Sequence, residues 1–149
     1  MPRGSGFIYR HYHLPPAKRV ARWYGLLRLC RARGQVAVLA DSAQTALEWN
    51  ADGIYGAPRA LYPARDLLTL ATAHDLHEIG LANRFGADAV LLSPAFPTRS
   101  HPDAPALGPT RFRLLAAHAR MPVIALGGMT PNTARRLCWP RWAAIDGLS

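Results

Sequence analysis

The chain has 149 residues, 50% of them apolar, with 18 Lys and Arg against 9 Asp and Glu, a net charge of +9 and a pI near 10.8. One globular core suits that length, and the apolar fraction excludes a disordered tail. No window approaches the roughly 20 apolar residues of a membrane span and the first residues lack the order of a secretory signal, so a cytoplasmic protein with no membrane partner is expected.

Residues 6–12 (GFIYRHY) are aromatic and β-branched and lie between glycines and Pro15-Pro16, which predicts a strand. From 16 to 33, Val20, Trp23, Leu27 and Cys30 recur at steps of three and four, with Arg19, Arg22, Arg28 and Arg31 elsewhere. That is an amphipathic helix, stopped by Gly34. Residues 35–40 (QVAVLA) have the continuous apolarity of a strand buried on both faces, and Asp41-Ser42 then opens a helix over 43–49. A brief strand is expected at 53–55 and a clearer one at 67–72, with Pro58 and Pro63 leaving room between them for little more than a turn of helix. Asp75 and Glu78 have the spacing of a capping box, and Ile79, Ala82 and Phe85 carry the helix to Gly86. Residues 89–92 read as a strand, and 93–109, with five of the 13 prolines, as a loop. Phe112, Leu115 and Ala119 mark a helix, 123–126 a strand, Thr130-Pro131 a capped helix start and 142–145 a last strand.

Seven strands mostly separated by helices give the βα alternation of a parallel sheet. The expected fold class is α/β, a single domain over 1–149 of the (β/α)8 barrel type, short by about one strand and one helix, since such barrels usually take about 250 residues.

Two segments can carry chemistry. Residues 91–108 (LLSPAFPTRSHPDAPALG) form a long loop leaving the C-terminal end of a strand, where α/β barrels place their sites. Thr98, Arg99, Ser100 and His101 supply hydroxyls and cations suited to a phosphate, although a proline-stiffened surface loop with incidental polar residues explains the same composition. Residues 123–131 (VIALGGMTP) run from a strand through Gly127-Gly128 into a capped helix, which exposes backbone N–H groups and lets an anion approach; a tight turn alone is the other reading. Lys18 is the sole lysine, so the positive charge is nearly all arginine, which binds phosphate through its planar fork. These cations are scattered and follow no nucleic-acid-binding module, so a phosphorylated small molecule is the expected partner and specific nucleic-acid recognition is not.

The stretch SPAFPTRSHPDAPALG followed by PVIALGGMTP resembles the loop and phosphate-binding turn of thiamine phosphate synthases, and HDLHEIGLANRFGADAVLLSP is similar to the helix and strand that precede them. The resemblance is clear over 67–137 and faint in the N-terminal half. It implies a (β/α)8 fold and a transferase of thiamine biosynthesis that joins a pyrimidine pyrophosphate to a thiazole phosphate and releases pyrophosphate with Mg²⁺. It would place Thr98, Ser100 and the backbone of Gly127 and Gly128 at the thiazole phosphate. Arg10, Thr72 and His101 would then serve the pyrophosphate, and Asp41 would be a Mg²⁺ carboxylate.

Departures from the family's pattern point to a second reading, a catalytically impaired phosphate-ligand-binding relative. His101 stands where the family has a lysine, Ile8 and Tyr12 replace a Gln and a Lys, and Ala40 replaces an Asn. GIYGAP offers no second metal carboxylate, so Asp41 alone would hold Mg²⁺ weakly. Asp146 stands where a small hydroxyl residue normally helps to hold phosphate. Pro94 replaces the histidine of the related thiazole tautomerases, which weighs against an isomerase.

His11 and His13 could form a metal pair on one strand face or be solvated histidines at the core edge; His74 could touch ligand or serve capping and packing. His77 and His118 are expected on helix surfaces, and Trp23, Trp49, Trp139 and Trp142 in packing. Cys30 and Cys138 read as reduced thiols filling the core. A barrel without its first strand leaves open edges at 6–12 and 142–145, so a homo-oligomer that covers them is expected, unless residues precede Met1.

Overall fold

A computed structural model describes residues 4–62, 64, 66–98 and 105–145. The sheet has six strands in chain order: β1 (Gly6–Tyr9), β2 (Val36–Leu39), β3 (Gly53–Gly56), β4 (Leu68–Ala73), β5 (Ala89–Leu92) and β6 (Val123–Ala125). Between them lie α1 (Pro16–Ala32), α2 (Ala43–Glu48), a 3-10 turn at Pro58–Leu61, α3 (Leu76–Phe85) and α4 (Gly108–Ala116), and α5 (Pro131–Leu137) follows β6. The chain divides into two compact units, Met1–Gly56 with Ala60–Leu70, and Ala57–Arg59 with Ala71–Ser149.

In the first unit β1 pairs with β2 and β2 with β3, both parallel, in the registers Tyr9 opposite Leu39 and Leu39 opposite Ile54. α1 buries Trp23, Leu27 and Cys30, the stripe its spacing predicts, and ends where Gly34 takes φ +61°. Tyr9 is fully buried on β1, its ring tilted against Trp23 at 5.6 Å and its hydroxyl donating to Arg19 O at 3.0 Å. Gly53 lies so close to β4 that a Cβ there would overlap the Leu68 carbonyl, which demands glycine. Asp52 joins β2 to β3: its Oδ2 accepts from Ala37 N at 2.8 Å, and its Oδ1 meets Arg31 Nη1 at 2.7 Å.

In the second unit β5 and β6 pair in parallel, Leu91 opposite Ile124. Asp75 accepts from Glu78 N at 2.8 Å as the N-cap of α3, but the returning bond of the expected capping box shifts by one residue. Glu78 Oε2 accepts from His74 N at 2.6 Å. Phe112 is fully buried in α4 with Trp139 edge-on at 5.2 Å, and Trp139 Nε1 donates to Val123 O at 2.8 Å.

Several expectations are corrected. The strand at 6–12 stops at Tyr9, because Tyr12 N turns back onto Arg10 O. The helix after the proline-rich loop begins at Gly108 and ends before Ala119, so His118 lies in the turn beyond it. The strand at 142–145 is reduced, among the described residues, to one parallel bridge between Ala125 and Trp142. β6 offers only three residues before Gly127-Gly128 turns the chain away, and Pro140 has no N–H to extend the pairing. Cys30 is buried as expected, whereas Cys138 is exposed at the left-handed C-cap of α5. No helix among the described residues is long and apolar enough to cross a membrane.

Candidate functional site

In the second unit the turn after β6 is built against the loop after β5. Ala95 N donates to Leu126 O at 2.8 Å and Phe96 N to Gly127 O at 3.1 Å, so residues 95–96 run beside 126–127. Leu107 N on Pro94 O and Gly108 N on Ala95 O close the far end of the loop onto the same place. Gly127 and Gly128 adopt φ +87° and +61°, and a Cβ would stand 2.8 Å from Pro94 Cα at the first and 2.5 Å from Pro97 O at the second. Backbone conformation and packing both exclude any side chain at these two positions.

The N-cap of α5 closes on itself, since Thr133 N donates to Thr130 Oγ1 and Thr130 N to Thr133 Oγ1, while Gly128 O accepts from Thr133 Oγ1 at 3.0 Å. Among the described residues, the N–H groups of Gly127 and Gly128 donate to no protein acceptor. Consecutive amides in such a turn form a concavity suited to an anion. Thr98 is half-buried on the adjoining loop. Ser100, His101, Arg99 and Asp146 lie outside the described residues. Arg136, which sequence spacing gives no reason to single out, places its guanidinium 5.5 Å from the Phe96 ring. Thr72 is half-buried on β4. His74 is exposed at the start of α3, its Nδ1 lying 2.8 Å from Glu78 Oε2.

In the first unit Arg10 follows β1 and lies over the Tyr55 ring at 5.5 Å. Burial raises the Tyr55 hydroxyl above its ordinary pKa, with Arg10 pulling the other way. Asp41 follows β2, and Ala40 N donates to Tyr9 O at 3.0 Å to hold this end of the pair. Both carboxylate oxygens of Asp41 are engaged: Oδ2 by Arg19 Nη1 at 2.7 Å, Oδ1 by Ser42 N at 2.7 Å. Burial pushes this carboxyl up, but the bonds from Arg19, Ser42 and Thr45 outweigh it and hold the pKa below its ordinary value. His11 stacks on Tyr9 at 4.6 Å, and burial, Arg22 and His13 lower its pKa. Its ring lies 5.5 Å from that of His13, both beyond the end of β1.

A magnesium ion takes several hard oxygen ligands in near-octahedral order. At Asp41 it would meet a guanidinium already at ion-pair distance from the same carboxylate, and no group of three His, Cys, Asp or Glu side chains comes together among the described residues. These residues do not fit a Mg²⁺ site. Sequence reading missed the Arg19 pairing because the partners are 22 residues apart and Arg19 belongs to the polar remainder of α1.

Comparison with known proteins adds a family. The family model described as thiamine monophosphate synthase matches residues 4–145. Thiamine-phosphate synthase of Geobacillus thermodenitrificans is 33% identical over 132 residues, covering 83% of this chain and 58% of that protein. The same-named protein of Chloroflexus aurantiacus is 33% identical over 150 residues, covering 95% and 67%. The solved thiamine phosphate pyrophosphorylase of Pyrococcus furiosus superposes with a TM-score of 0.80 at 25% identity, over 95% of this chain and 72% of that one. The chain therefore spans about three fifths of the length of the first of these relatives.

Proposed function

The chain belongs to the thiamine monophosphate synthase family, and from that premise we propose that it acts as a thiamine phosphate synthase-like transferase built on part of a (β/α)8 barrel. In this reading it joins a pyrimidine pyrophosphate to a thiazole phosphate by alkyl transfer, with release of pyrophosphate. The observation that carries it is the pairing of the Gly127-Gly128 turn with the loop after β5. That pairing supports a phosphate held by the amides of Gly127 and Gly128; the hydroxyls of Thr98 and Ser100 are assigned to it from the family resemblance, Ser100 lying outside the described residues. Arg10, Thr72 and His101 are assigned to the pyrophosphate, where cationic side chains stabilise the charge that develops as it departs.

The second reading, a phosphate-ligand-binding relative with impaired catalysis, is favoured by one specific observation: the carboxylate assigned to Mg²⁺ is held by Arg19. Incubation of the protein with both substrates and Mg²⁺, with thiamine phosphate as the measured product, separates the two. Product formation supports the synthase. Stabilisation by thiazole phosphate without product supports the relative, and saturation at 100 Kd should add about 2.7 kcal/mol. Neither product nor stabilisation sinks both.

A further inference from the structure

Among the described residues of the first unit, Arg19 is the most enclosed cation. Its side chain retains 15% of its accessible surface, and its guanidinium lies over Trp49 at 5.2 Å and Tyr12 at 5.5 Å. Nη1 donates to Asp41 and Nη2 makes only a long contact of 3.5 Å with Ala40 O. Nε is buried with no partner among the described residues. A guanidinium carries five N–H donors, so this one keeps several unspent while its charge is fixed by two rings and a carboxylate. It sits where β1 and β2 end, the same end of the strand pair that carries Arg10.

We propose that Arg19 replaces the divalent cation at Asp41, so that the pyrophosphate end of the ligand is bound by Arg19 together with Arg10 and without metal. Asp41 is then a positioning residue: it orients the guanidinium, as Trp49 and Tyr12 do, and each of its oxygens already accepts a hydrogen bond. A guanidinium suits this exchange because it is planar, permanently charged and able to grip two phosphate oxygens at once. The proposal rests on the assignment of a pyrophosphate end made above. Its tests read binding, and so decide it whether or not product forms.

Manganese, the paramagnetic stand-in for magnesium, is titrated alone into the wild-type protein and into Asp41→Asn, with the free ion followed by electron paramagnetic resonance. The two curves should coincide; wild-type binding that Asp41→Asn abolishes overturns the proposal. Inorganic pyrophosphate is then titrated calorimetrically in EDTA and in Mg²⁺. The expected result is binding in EDTA no weaker than in Mg²⁺, reduced at least about tenfold by Arg19→Gln through loss of a charge-assisted contact. Arg19→Lys should lie between, since it keeps the charge but loses the fork, and far-UV circular dichroism confirms that each variant is folded. Binding that requires Mg²⁺, no binding at all, or equal binding by wild type and Arg19→Gln overturns the proposal. Should Arg19→Gln fail to fold, the manganese comparison and the EDTA titration of wild type decide it.

Discussion

Glycine at 127 and 128 is a steric requirement before it is a chemical one. At 128 a methyl group would combine a left-handed backbone with overlap against Pro97 O and Phe96. Left-handed strain costs about 1–2 kcal/mol and overpacking about 1–3 kcal/mol. Gly128→Ala should therefore lose about 2–5 kcal/mol in urea unfolding and should weaken any stabilisation by inorganic phosphate; an unchanged midpoint would refute the packing argument. This pair was legible in the sequence because the signal is local, a strand running into Gly-Gly and then Thr-Pro. The Asp41 pairing was not, because no local pattern reports a contact between α1 and the residue after β2. It has its own signature in pH. Burial raises the Asp41 carboxyl, yet the Arg19 hydrogen bond and its neighbours leave it below the ordinary carboxylate value. A carboxyl whose folded pKa is depressed contributes stability that is fully present above its unfolded value, about 3.9, and is lost as pH falls through the folded one. The urea midpoint of the wild type should accordingly fall more between pH 7 and acid than that of Asp41→Asn. Parallel curves would count against the pairing.

Among the elements, most of what is written within one segment is legible in periodicity, whereas what depends on a partner is not. α1, α3 and β5 follow from spacing and caps, because an amphipathic stripe or a buried apolar run is written within one segment. The proposed strand at 142–145 had the right residue types but needed a longer β6 to pair with. Asp52 was invisible for the same reason: an acidic residue before a short strand reads as a turn, yet its carboxylate satisfies Ala37 N and Arg31 together. Removal of that carboxylate leaves the N–H of Ala37 without its acceptor inside a paired strand, at a cost of about 1–3 kcal/mol. Asp52→Ala should show that loss in chemical denaturation, and Asp52→Asn, which keeps an acceptor oxygen, should lose less. Equal losses would mean that the charge, not the acceptor, holds β2 to β3.

For the molecule as a whole, β1 matters because it is the terminal strand of the sheet among the described residues. The strand pairs with β2 on one side and is terminal in the sheet order, and its four residues include no charge and no proline. Phe7 and Ile8 are half-exposed there, so the edge lacks the devices that normally prevent strand addition. A second copy of the chain would cover such an edge, and the homo-oligomer expected from sequence is tested there. The net charge of +9 works against it, since like-charged copies repel until salt screens them over about 8–10 Å. Light scattering should therefore give a mass above the 16.3 kDa of one chain, rising with protein concentration and with salt. Ile8→Lys sets a charge on the edge itself and should return the protein to a single-chain mass under the same conditions, with its circular dichroism unchanged. A wild-type mass of one chain at high concentration and high salt would show that the edge is left bare, and a variant that associates as the wild type does would place the contact elsewhere.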